Sequence, residues 1–79
     1  MILRSLRKEK GYTSRFVYTA LDIKQSTFSC YEHGKRRPKV KFFIELQKIY
    51  NLNDTEILKV MQLHEEEVEE YERRTKKTT

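Results

Sequence analysis

Two short helical patterns that lie only three residues apart constrain the fold of this chain most strongly. Residues 14–21 and 25–33 each carry apolar side chains at helical spacing, and only residues 22–24 separate them. Thr13 can cap the first stretch as a helix through its hydroxyl. Asp22 is one of the few residue types besides Gly that tolerate the left-handed conformation of a tight turn. The sequence therefore predicts a pair of short helices joined by a tight turn.

The rest of the chain also has helical periodicity and few residues that break helices. Only two Gly and one Pro occur among 79 residues, which argues against a turn-rich β architecture. Asn51 is placed to end the fourth helix in the left-handed conformation, and Asn53 or Asp54 can cap the fifth. We therefore expect an all-α fold. The five predicted helices span about 2–10, 14–21, 25–33, 40–50 and 54 to the low seventies.

The apolar pattern of the fifth helix continues beyond the predicted core. We divide the chain into a domain at 1–62 and a charged helical extension and tail at 63–79. The continued stripe is either the surface of a homodimer or a face that folds back on the core, and the pattern alone leaves both alternatives open. The stripe consists of Val60, His64, Val68 and Tyr71.

The charges are distributed unevenly along the chain. Residues 1–41 contain eleven Lys or Arg and three acidic residues, whereas residues 42–79 contain six Lys or Arg and nine acidic residues. A concentrated positive field is typical of a protein that binds a polyanion such as nucleic acid. Charge alone also fits an ordinary basic surface without a partner.

Several classes of protein are disfavoured by what the sequence lacks. The single Cys30 cannot form an internal disulfide, and the isolated His33 and His64 offer no pair of metal ligands. No nucleophile–base pairing or phosphate-binding Gly loop is visible, so we expect no enzyme, cofactor or small-molecule ligand. No apolar run approaches the roughly 20 residues that span a bilayer, and the start is not a secretory signal. We expect a cytoplasmic protein without a membrane partner.

The second helix of the pair begins with polar residues and is followed by a basic loop. Around it lies a set of residues that resembles the lambda-repressor-like (Cro and repressor, XRE-type) helix-turn-helix domains, over about residues 2–58. The residues that carry the resemblance are Leu6-Arg7, Gly11, Thr13, Val17, Leu21, Ile23, Ser26-Thr27-Phe28-Ser29, Tyr31-Glu32-His33-Gly34, Lys35 and Pro38. The resemblance implies a five-helix lambda-repressor-like bundle that inserts the helix beginning at Gln25 into the DNA major groove.

Four positions depart from the family pattern. Ser14 stands where a Gln usually opens the second helix and touches a phosphate, so that contact is shorter or lost. Asp22 replaces the Gly of the turn. Tyr18 stands where a small Ala normally faces the recognition helix, while Ala20 occupies a site that is usually larger. We expect an altered crossing angle rather than a lost fold.

The resemblance also implies roles for individual residues. The residues expected to contact bases are Gln25, Ser26, Thr27 and Cys30. The resemblance implies phosphate contacts for Ser14 and Lys24. Positive charge beside the recognition helix predicts further phosphate contacts for Lys35, Arg36, Arg37 and Lys39, with an ordinary solvated loop as the alternative. The Gln25 amide can make two hydrogen bonds to an adenine edge, although it also fits an ordinary solvated helix residue. Arg7 and Glu32 are expected to form a partly buried ion pair with a structural role.

Double-stranded DNA is therefore the expected partner, and the leading hypothesis is a transcriptional regulator. A homodimer would bind a pseudo-palindromic operator. Phage repressor, Cro-like protein, restriction–modification controller and antitoxin contexts all remain open. The alternative is a protein–protein adaptor or antitoxin-type module that keeps the fold without operator binding, which Ser14 slightly favours.

Overall fold

The computed structural model describes residues 1–76 and consists of five α-helices. These are α1 (Ile2–Glu9), α2 (Ser14–Ala20), α3 (Gln25–Glu32), α4 (Val40–Tyr50) and α5 (Asp54–Lys76). No strand occurs within this described part of the chain. The predicted all-α, five-helix fold is confirmed, and the bounds of α4 are those that the sequence predicts.

Local hydrogen bonds explain where the helices begin and end. The Thr13 hydroxyl accepts a hydrogen bond from the amide of Phe16 at the start of α2. Asn53 and Glu56 cap α5 reciprocally, since each side chain accepts from the backbone amide of the other. Asn51 ends α4 with φ of 53°, and Asp22 turns the chain between α2 and α3 with φ of 56°. Both left-handed residues agree with the sequence prediction.

The core is formed where α1, α2 and α3 meet α4 and α5. Helix α1 packs against α3 and α5, α2 packs against α3, and α4 packs against α5. Aromatic rings fill much of this space, with Tyr31 edge-on to Phe42 and Phe42 edge-on to Phe43. The buried core residues are Leu3, Val17, Leu21, Phe28, Phe42, Phe43, Leu46, Tyr50, Leu52, Ile57 and Val60.

The apolar stripe of α5 folds back on this core, which is one of the two alternatives that the sequence pattern leaves open, so the stripe is not an exposed surface for a homodimer. Val60, His64 and Val68 are buried within the single chain, and Tyr71 is partly buried. Neighbouring helices cover these side chains, so little of their apolar area is left for contact with a second copy. The predicted boundary after residue 62 lies within α5, which is continuous there. No helix in the described residues is long and apolar enough to span a membrane.

Candidate nucleic-acid interface

The first turn of α3 is polar and open to solvent. Lys24 precedes it in an extended conformation, and no side chain caps the helix at this end. Gln25 and Ser26 are exposed, whereas Thr27 and Cys30 are half-buried. The opposite side of α3 is held inward by Phe28, which is buried in the core. The exposed amide and hydroxyl are therefore positioned on a helix whose inner face is fixed by packing.

A shallow cleft joins Gln25 to two other helices. It lies between α1, α2 and α3, and Arg4, Ser14, Ser29 and His33 contribute to its lining. Ser14 is one of the predicted phosphate contacts, and the structure brings it to the same cleft as Gln25. Arg4 and His33 were not among the predicted site residues. Helical spacing could have indicated both, since Arg4 precedes Arg7 by one turn and His33 follows Gln25 by eight residues.

The C-terminal end of α3 is fastened to α1 by an ion pair. The Arg7 Nε atom donates to Glu32 Oε2 at 2.8 Å, and the Arg7 Nη1 atom donates to the Tyr12 carbonyl at 3.0 Å. The side chains of Arg7 and Glu32 are only 12% and 7% exposed. Burial, and to a smaller extent the Glu32 carboxylate, raises the pKa of the neighbouring Tyr50 phenol, which stays neutral. The pair thus has the geometry that the sequence analysis expects.

Helix α5 holds the same end of α3 from the other side. The His64 ring is buried, and its Nε2 atom lies 2.6 Å from the Tyr31 carbonyl oxygen. Because a carbonyl oxygen only accepts, Nε2 carries the proton in this contact. Gly34 has φ of +67°, and a Cβ at this residue would lie 3.1 Å from Glu67 Cβ. Gly34 therefore satisfies both the left-handed turn after α3 and the close approach of α5.

The basic segment after α3 divides into two groups. Lys35, Arg36 and Lys39 are exposed, and no ion pair to them occurs in the described part of the chain. Arg37 instead donates to the carboxylates of Glu65 and Glu72 on α5. The ion pairs give Arg37 carboxylate partners in place of the predicted phosphate, so we leave it out of the proposed DNA contacts.

The pairing of Arg37 also changes proton affinities. Hydrogen bonds to Glu72 and then to Glu65 raise the pKa of Arg37 further above its ordinary range. The hydrogen bond from Arg37 lowers the pKa of the Glu65 carboxyl below its usual value. Each group therefore favours the charged form of its partner. Sequence reasoning missed this pairing because Glu65 and Glu72 lie about 30 positions after Arg37.

The comparisons with known proteins agree with this geometry. A family model described as Helix-turn-helix matches residues 3–57, which is more than half of the chain. No curated protein and no solved structure matches the chain. The match covers α1 to α4 and the start of α5, and it ends before the part of α5 that contacts Tyr31 and Arg37. In general terms the match indicates a DNA-binding regulator. The chain belongs to the Cro/C1-type helix-turn-helix family, which confirms the resemblance to lambda-repressor-like domains.

Proposed function

We propose that this protein is a transcriptional regulator that binds an operator by inserting α3 into the DNA major groove. The observation that carries the proposal is the uncapped, polar and exposed first turn of α3, with Gln25 and Ser26 at the surface. Amide and hydroxyl groups at the start of a recognition helix can reach base edges. In this proposal Gln25, Ser26, Thr27 and Cys30 contact bases.

The basic groups around α3 supply the contacts to the backbone. The proposed phosphate contacts are Ser14, Lys24, Lys35, Arg36 and Lys39. Such contacts orient a protein on the duplex without reading its sequence. The exposure and positive charge of the four Lys and Arg residues in this set support the proposal, since each neutralised phosphate releases counterions and strengthens binding at low salt.

We further propose a cytoplasmic homodimer that occupies two half-sites about one helical turn apart. The predicted stripe is buried, so the dimer needs another surface. Val40 and Ile44 on α4 and Leu58 on α5 are large apolar side chains that remain about half exposed or more. They could supply this surface, and the spacing of selected half-sites tests the dimer directly.

The deciding experiment is selection of binding sites from random duplexes, followed by equilibrium binding over a range of salt concentrations. We expect a preferred sequence whose affinity falls steeply with salt. Gln25→Ala should lose about 1 to 3 kcal/mol of discrimination at one base pair. Arg36→Ala should weaken binding to all sequences and reduce the salt slope by about 0.9. The exposed Lys59 on α5 offers a control, since Lys59→Ala removes the same charge without changing the slope.

The same experiment tests the adaptor alternative. Two results together would contradict operator binding. The parent protein would show no sequence preference, and the Gln25→Ala and Arg36→Ala variants would behave like the parent. The protein–protein adaptor or antitoxin-type module would then be the better hypothesis. Circular dichroism of each variant is required, because an unfolded variant would also lose binding.

A further inference from the structure

Arg37 is held by two carboxylates on one face of α5. The Arg37 Nε atom donates to Glu65 Oε1 at 2.8 Å, and Nη1 and Nη2 donate to Glu72 at 2.7 Å and 2.9 Å. Nη2 also lies 2.8 Å from Glu65 Oε2. Glu65 and Glu72 are seven residues apart, so they lie on the same side of the helix two turns from each other. Together they occupy most of the donors of the guanidinium fork.

Arg37 differs in this pairing from the cations beside it in the chain. Lys35, Arg36 and Lys39 are exposed, and in the described residues none of them pairs with a carboxylate. Arg37 is 45% exposed, so solvent and ligands can reach it. Its ion pairs, rather than burial, therefore limit what else it can contact.

We propose that Glu65 and Glu72 set the strength of DNA binding by withholding Arg37 from the phosphate backbone. The inference rests on the proposed function. A phosphate that captured Arg37 would replace two carboxylates with one anionic group and would take the Arg37 charge away from both carboxylates close to DNA. The exchange is unfavourable, so Arg37 stays on α5 when DNA binds.

The location of the carboxylates makes this a property of the C-terminal helix. Glu65 and Glu72 lie beyond residue 57, where the family match ends. Arg37, Glu65 and Glu72 together carry a formal net charge of −1 beside the basic segment. Helix α5 therefore reduces the number of phosphate contacts and lowers the local positive potential, which keeps DNA binding weaker than the basic segment alone would allow.

The test is a mutant cycle measured on the selected operator between about 50 and 200 mM salt. Glu65→Gln combined with Glu72→Gln should release Arg37. We expect affinity to rise on the order of tenfold at about 0.1 M salt and the salt slope to steepen by about 0.9. Arg37→Gln should leave the parent slope unchanged but remove the added slope from the double variant.

The control variant changes the net charge by the same amount but leaves the ion pairs of Arg37 intact. Glu66 and Glu69 are exposed residues of α5, so Glu66→Gln with Glu69→Gln raises only the long-range potential. When Arg37→Gln is added to this control variant, we expect the salt slope to stay unchanged. Thermal unfolding of each variant checks that the fold is kept, and the Arg37→Gln variant tests the inference without any change in α5.

Two results would overturn the inference while leaving the proposed function intact. One is a parent slope that falls by about 0.9 with Arg37→Gln, which would mean that Arg37 already contacts a phosphate. The other is a Glu65→Gln, Glu72→Gln variant that behaves like the charge-matched control. A parent protein that shows no salt-dependent, sequence-selective binding would instead overturn the proposed function, and this inference with it.

Discussion

The two ends of α3 differ in how they are held. At the N-terminal end no side chain caps the helix, and Gln25 and Ser26 are exposed. At the C-terminal end Glu32 pairs with Arg7 of α1, and His64 of α5 contacts the carbonyl of Tyr31. One end is open to a partner, while the other is fixed by two neighbouring helices.

This difference indicates how a small domain can expose a helix without losing its position. Polar groups that bind a partner must not be engaged in hydrogen bonds within the chain, so contacts at the other end of the helix must fix its position. Substitutions at the fixed end should therefore change the free energy of unfolding, whereas substitutions at the open end should change DNA binding alone. The predictions below test the fixed end.

The largest loss of stability is expected when the Arg7–Glu32 pair is broken. Glu32→Ala leaves the Arg7 guanidinium partly buried without its carboxylate, so we expect a loss of about 3 to 5 kcal/mol in urea unfolding. Replacing both residues, as in Arg7→Met with Glu32→Leu, should cost less than Glu32→Ala because no charge is left unpaired. The exposed Glu9 of α1 is the control, and Glu9→Ala should change stability by less than about 0.5 kcal/mol. Equal effects of Glu9→Ala and Glu32→Ala would contradict a fixed C-terminal end.

Gly34 should give the next largest effect, with Gly11 as its matched control. Both residues have positive φ, but only Gly34 has another residue close to the position of a Cβ. Gly34→Ala should therefore cost about 2 to 3 kcal/mol, from backbone strain together with the contact to Glu67. Gly11→Ala should cost only about 1 to 2 kcal/mol, from strain alone. If thermal unfolding gives the two variants equal losses, α5 does not constrain the turn after α3.

Local signals explain why the sequence predicted much of the fold. The helix cap at Thr13 and the left-handed turns at Asp22 and Asn51 depend on residues close in the chain, and the structure contains all three. The Arg7–Glu32 pair was implied by the resemblance to a known family, and it too is present.

Contacts made by α5 were harder to predict because they join distant parts of the chain. Periodicity identified the stripe of Val60, His64 and Val68 but did not say whether it meets the core or a second copy. A run of basic residues likewise gave no reason to separate Arg37 from Arg36. Both answers depend on the direction in which α5 crosses the other helices, and the family match ends before that part of the chain.

The smallest expected effect concerns His64, the contact that the sequence left undecided. His64→Leu keeps an apolar group beside Phe43 but removes the donor to the Tyr31 carbonyl. The amide of Gly34 also donates to this carbonyl, so the oxygen keeps one partner. We therefore expect a loss of only about 1 kcal/mol in urea unfolding. His33→Leu is the control, because His33 is exposed and should change stability by less than about 0.5 kcal/mol. A His64→Leu variant as stable as the parent would show that packing of the ring, and not its hydrogen bond, holds α5 against the end of α3.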